Sequence, residues 1–221
     1  LDKFYFKKKF LIEKNIKFKN KKIAKSLKIP KKNKLSNLGY VQGNFENYNY
    51  FKKYHKDLVN MFKPKKSLLM DNNKIINYLK NTNSISIHIR RHKFTEQPHE
   101  LINANNINQT ENFTNELFNY IKKSVIYFEN KLKDPVFFIW SNDFNGIEKI
   151  FSKKKFIFIE GNDAINDFHL FSYAKHFIVG GSSFHWWGAW LNTNSNKICL
   201  RPSNLNPSNN LNFYPKEWIE I

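Results

Sequence analysis

Cysteine is nearly absent from this chain: of 221 residues only Cys199 carries a thiol. One thiol excludes an internal disulfide and any cysteine-rich zinc site, and it fits a reducing compartment such as the cytoplasm. Long apolar runs are missing too. No stretch of about eighteen apolar residues occurs, so no transmembrane helix is expected. No charged segment leads into an apolar one at the start, so no signal peptide is expected, and the opening Leu1 in place of Met implies a natural start further upstream. Asp-x-Asp is absent, as are Gly-x-x-x-x-Gly-Lys, Gly-x-Gly-x-x-Gly and Gly-x-Ser-x-Gly. The charge of any diphosphate bound here would therefore be met by arginines and backbone dipoles rather than by a metal held by paired aspartates. No metal and no cofactor are expected.

Acidic residues are scarce in the first third. Residues 1–80 hold 22 basic side chains, all lysine, against 5 acidic ones, whereas residues 81–221 hold 15 against 13. The net charge of +19 is thus an amino-side property. Compositional drift in a chain rich in Lys, Asn, Ile and Phe accounts for it. Attraction of segment 1–36 to an anionic membrane surface is a second reading. Nothing resembling a nucleic-acid module accompanies the lysines, so nucleic acid is not an expected partner.

What is present is a foldable chain. Hydrophobic residues make up 41% and aromatics 17%, and the length suits one large domain or two small ones. Residues 1–36 carry no assignable pattern. Tyr50 to Phe62 has helical apolar spacing, ended by Pro64. From residue 84 strands and helices alternate. Strands are predicted at Ser84–Ile89, Pro135–Trp140, Phe156–Ile159, His176–Val179 and Lys197–Leu200. Helices are predicted at Asn112–Leu132, near Phe144–Phe151, at Ile165–Ala174 and at Phe184–Leu191. A Pro/Asn-rich tail follows. Such alternation predicts a parallel sheet covered by helices, with ligands beyond the carboxyl ends of the strands.

Two segments fall on that rim. His88-Ile89-Arg90-Arg91 ends the first strand, and paired guanidinium forks suit a diphosphate leaving group; a surface arginine pair capping a loop is the plainer reading. Gly180-Gly181-Ser182-Ser183 opens a helix, where serines cap and free amides attract phosphate. Phe184 could pack on a base or sugar. Trp186, Trp187 and Trp190 read as core. Asp167 fits either a nucleotide contact, to guanine or ribose, or a helix N-cap or first-turn position. His169 and His176 read as structural, and His88 as orienting an arginine or touching the sugar.

Together these segments resemble the α-1,2-fucosyltransferases of glycosyltransferase family 11. The arginine motif His-x-Arg-Arg-Gly-Asp is matched by His88, Arg90 and Arg91. The carboxyl motif Ser-Ser/Thr-Phe-Ser-Trp-Trp-Gly-Ala-Trp-Leu is matched from Ser182 to Leu191. Further likenesses are Gly39-Tyr40-Val41-Gln42 with Tyr50-Phe51, Ser141-Asn142-Asp143, and Asp167-Phe168-His169-Leu170-Phe171-Ser172. The resemblance, covering roughly residues 37–201, implies an α/β fold of GT-B type. Residues 1–81 would form part of a basic acceptor-side domain, and residues 82–221 a Rossmann-like GDP-sugar domain. It implies inverting, metal-independent transfer from GDP-fucose to the 2-hydroxyl of a galactose-containing oligosaccharide. A cytoplasmic location is expected from the single cysteine, and the lysines of residues 1–36 allow peripheral contact with the membrane's inner face. Arg90, Arg91, Asp167, Ser182, Ser183 and Phe184 would hold the donor. Two departures stand out. His92-Lys93 replaces Gly-Asp, so the base falls to His92, Glu96 or His88. The family's amino-terminal Gly-Gly-Leu-Gly-Asn-Gln-Met-type segment is missing, which suits a truncated chain. A degenerate transferase that binds nucleotide without turnover and a basic membrane- or nucleic-acid-binding protein are the rival readings.

Overall fold

The computed structural model describes residues 47–96, 101–205 and 212–221; the lysine-rich segment 1–36 and the Gly39–Gln42 likeness lie outside them. Six strands form one sheet: β1 (Asn83–Ile89), β2 (Pro135–Ser141), β3 (Phe156–Phe158), β4 (His176–Ile178), β5 (Cys199–Arg201) and β6 (Ile219–Glu220). All pairings are parallel, in the order β3-β2-β1-β4-β5-β6. The direction of winding therefore reverses between β1 and β4, and the carboxyl ends of those two strands frame a crevice.

The strands alternate by twos, and each alternate set faces a different core. From β2, Phe137 and Ile139 join Ile85, Ile87 and Ile89 of β1 on one face, under the long helix α4 (Ala104–Lys131). Phe138 and Trp140 turn to the other face. There they meet α3 (Asn73–Asn81), α5 (Ala164–Phe171) and α6 (Ser183–Leu191). Both faces are covered, which is why β2 reads as an unbroken apolar run.

On that second face β1 is polar, showing Ser84, Ser86 and His88. Ser84 and Ser86 are fully buried, so their hydroxyls need partners. Ser84 Oγ donates to Leu79 O and accepts from Lys175 N, and Ser86 Oγ donates to Phe171 O at 2.9 Å. The serines thus tie the ends of α3 and α5 to the central strand.

Several expectations change. Tyr50–Phe62 is not one helix: two 3-10 turns, Tyr48–Tyr50 and Lys52–Tyr54, precede α1 (His55–Met61). Helices α2 (Lys66–Asp71) and α3 were not anticipated. Helix α4 starts at Ala104 rather than Asn112, because Asn103 and Asn106 form a reciprocal capping box. The helix expected near Phe144–Phe151 is a single 3-10 turn, Ile147–Lys149, opened by left-handed Gly146 (φ 73°). Within the tail, Phe213, Tyr214 and Trp218 are buried and β6 extends the sheet. Tyr48, Leu58, Ile76 and Leu79 pack with Phe138, Trp140 and Trp186 in one core cluster. Among the described residues no helix is long and apolar enough to cross a membrane.

Candidate active site

Parallel neighbours bring their carboxyl-end loops side by side. β1 and β2 are in register with His88 opposite Trp140 and Ile89 opposite Ser141, so the arginine loop lies against Ser141-Asn142-Asp143. Ser141 Oγ donates to Ile89 O at 2.8 Å. Asn142 acts as a two-pronged clamp: its Oδ1 accepts from Arg91 N at 2.7 Å and its Nδ2 donates to Arg91 O at 3.1 Å. Arg91 Nη1 donates to Asn145 O at 2.6 Å. Arg90 forms a bidentate ion pair with Glu96. Both guanidinium groups are thereby fixed at the rim, Arg90 by Glu96 and Arg91 by Asn145.

His92 occupies the position where the family motif has glycine, and its φ is +60°. That left-handed backbone suits glycine and costs other residues roughly 1 kcal/mol or more. His92 Nε2 meets Asp143 Oδ2 at 2.8 Å. The Asp143 carboxyl is held below its ordinary range, first by the Asn145 amide at 2.9 Å and then by His92. With Nε2–H directed to Asp143, the Nδ1 lone pair of His92 is the ring's available base. His92 and Arg91 line a cleft of about 560 Å³ shared with Thr110, Glu111, Thr114 and Asn115 of α4.

Across the crevice, β4 leads through Gly180-Gly181 into α6. The glycines keep ordinary φ; they are needed for closeness. A Cβ on Gly180 would lie 2.9 Å from His185 Nδ1, and one on Gly181 would lie 2.3 Å from Leu205 O. The close approach is thus to the protein's own groups. Ser182 is buried and caps α6, its Oγ accepting from Phe184 N at 3.3 Å, while Ser183 is exposed at the helix start. The tryptophans of α6 belong to the core: Trp186 Nε1 donates to Phe213 O at 2.8 Å, Trp190 stacks on Trp186, and Trp187 packs on Phe51 and Phe62.

The two rim segments touch. His185 Nε2 hydrogen-bonds His88 Nδ1, and the Phe184 ring lies 4.5 Å from that of His88. Phe184 also contacts Phe168 of α5 at 5.6 Å. Burial, aided by Arg90, pushes His88 down to about 3, and burial first and then His88 and Arg90 hold His185 well below the ordinary histidine range. Asp167 lies in the first turn of α5, as one of the two structural readings had it; the cap is Asp163, its Oδ1 accepting from Asn166 N at 2.7 Å. Burial pushes Asp167 up to about 6 although Asn162 Nδ2 donates to it at 3.1 Å. His176 sits at the opposite end of β4, where its Nδ1 accepts from Ile198 N at 3.0 Å. His88, Phe184, Ser182 and Ser183 therefore converge on the β1–β4 crevice, the arginines and His92 on the adjoining β1–β2 rim, and Asp167 stands on α5 beside Phe168. Sequence reasoning gave no role to Asn142, Asp143 or His185; the usable signal was that loops after neighbouring parallel strands must meet.

A six-stranded parallel sheet wound in this order, with charged and glycine-serine loops at its reversal point, defines a Rossmann-like α/β protein. The chain belongs to glycosyl transferase family 11, whose family model matches residues 3–221. It is 30% identical over 187 residues to an alpha-1,2-colitosyltransferase of Escherichia coli, an overlap that takes in 81% of this chain and 61% of that relative. It is 29% identical over 147 residues to the O-antigen biosynthesis glycosyltransferase WbnK of Escherichia coli, covering 64% of this chain and 45% of the relative. The chain thus spans roughly half to three-fifths of the length of these curated relatives.

Proposed function

We propose that this chain supplies the nucleotide-sugar side of an inverting, metal-independent transferase of GT-B type that moves L-fucose from GDP-β-L-fucose to the 2-hydroxyl of a galactoside in a surface glycan. The observation that carries the proposal is the contact between the His88–Arg91 segment and the Gly180–His185 segment at the reversal point of the sheet. Arg90 and Arg91 stabilise the negative charge that grows on the departing diphosphate, as does the positive end of α6 at Ser183. Asp167 and Phe184 contact the nucleoside. The acceptor hydroxyl attacks the anomeric carbon from the face opposite the diphosphate, the carbon–oxygen bond to phosphate breaks, and GDP leaves with its electron pair. The hydroxyl proton goes to His92 Nδ1, and Asp143 holds that tautomer and offsets the imidazolium charge. Glu96 is committed to Arg90, and the Nδ1 lone pair of His88 is occupied by His185. His92 therefore replaces the carboxylate lost where Lys93 stands. The hydroxyl- and amide-bearing wall of the neighbouring cleft fits a polyol acceptor.

A colitosyl donor is the second reading, favoured by the relative at 30% identity. Full-length protein assayed with GDP-fucose and with the colitosyl donor, against several galactosides, separates the two. An α-1,2 linkage formed from GDP-fucose is the expected product. GDP binding without turnover of either donor would instead mark a degenerate transferase.

A further inference from the structure

His185 stands where the family motif carries serine, and it makes a connection that serine is too short to make. A backbone amide can only donate, so Gly180 N, 3.0 Å away, must give its hydrogen to His185 Nδ1. The proton of His185 therefore sits on Nε2, which faces His88 Nδ1. His88 Nδ1 must in turn accept, leaving the His88 proton on Nε2, to which no other described residue bonds. His185 is 1% exposed and closed in by Phe171 and Phe184, while His88 keeps a partly exposed edge at the crevice. Gly180 is the residue that lets the imidazole approach so closely.

We propose that His185 is a positioning residue: the Gly180–His185–His88 relay locks His88 as a neutral Nε2–H donor, presented to an anionic oxygen of the nucleoside diphosphate. This rests on the function proposed above. The lock gives the site a hydrogen-bond donor whose state does not vary with pH, since both rings are kept from protonating by burial and by Arg90, the charged side chain acting on both. Without the relay nothing would choose between the two neutral tautomers of His88.

The test is two-dimensional 1H–15N NMR of the histidine rings in the ligand-free protein, combined with GDP titrations from pH 5.5 to 8. In the unsubstituted chain His88 is expected as the Nε2–H tautomer across the range, and GDP affinity should not track a histidine titration. His185→Phe, which keeps a ring but removes the relay, should show mixed His88 tautomers and bind GDP about twofold or more weakly, with His88 still uncharged across the range because burial and Arg90 remain. His185→Gln, which can still donate to His88, should restore the single tautomer and the parent's GDP affinity. Identical His88 signals in the unsubstituted protein and in both variants would overturn the lock. Unchanged GDP affinity in a folded His185→Phe chain with mixed His88 tautomers would overturn the donor role. Failure of the unsubstituted chain to bind GDP would overturn the proposed function and the anion partner, while the tautomer signals would still judge the relay on its own.

Discussion

Replacing His92 by glycine separates strain from chemistry at one position. The backbone there has φ +60°, so glycine relieves roughly 1–2 kcal/mol of left-handed strain. It also adds about 0.5–1 kcal/mol of unfolded-state entropy. The His92–Asp143 contact, half exposed on the histidine side, is worth about 0.5 kcal/mol. These terms nearly cancel, and His92→Gly should match the parent to within about 0.5 kcal/mol. His92→Ala keeps the strain and loses the contact, so it should be less stable than the glycine variant by roughly 0.5–1 kcal/mol, or about 1–4 °C in Tm for a chain of this size. Both variants should lose about 10²–10⁴-fold in kcat as a base is removed, with GDP affinity little changed. Thermal unfolding, transfer assays and GDP titration read the three quantities. An alanine variant as stable as the glycine variant would refute the strain argument, and a glycine variant with more than about a tenth of parent turnover would refute the base.

Other positions make separate demands. Gly188→Ala should destabilise the fold by about 1–3 kcal/mol in denaturant melts, because the new methyl would lie 2.6 Å from Phe171 Cδ1 where α5 crosses α6. Asp167 is raised in the folded state from 3.8 to about 6, so ionising it costs stability as pH rises between those values, and the cost is complete above pH 6. Asp167→Asn should therefore stabilise by about 1 kcal/mol at pH 7–8 once solvent screening of this half-buried group is counted, with the gain vanishing below about pH 4 in Tm-against-pH scans. Arg91→Lys should keep the fold but lower donor affinity about tenfold or more in titrations, since lysine cannot present two parallel donors.

The sheet was legible because its inner strands are covered on both faces, and runs such as Val136-Phe137-Phe138-Ile139-Trp140 have no other use for so many large apolar residues. Helix α4 was legible only where its apolar stripe begins at Phe113. Its first turns are exposed and rich in Asn and Thr, held by a capping box rather than by a buried face. Helices α2 and α3 are short, and only Ile76 and Leu79 of the two are fully buried, too few to set up a periodic signal. The rim residues were legible as types, since arginines after one strand and a Gly-Gly-Ser-Ser turn after another suit phosphate. Their connections were not. Asp143 is 51 residues from His92, and His185 is 97 from His88; only the strand order brings those pairs into contact.

A crystal structure of the protein soaked with GDP tests the central claim most directly. The diphosphate is expected in the crevice between the carboxyl ends of β1 and β4, within hydrogen-bond reach of Arg90 or Arg91 and of the Ser183 amide, with Glu96 released from Arg90. Diphosphate density elsewhere on the molecule, with the Arg90–Glu96 pair intact, would contradict the account.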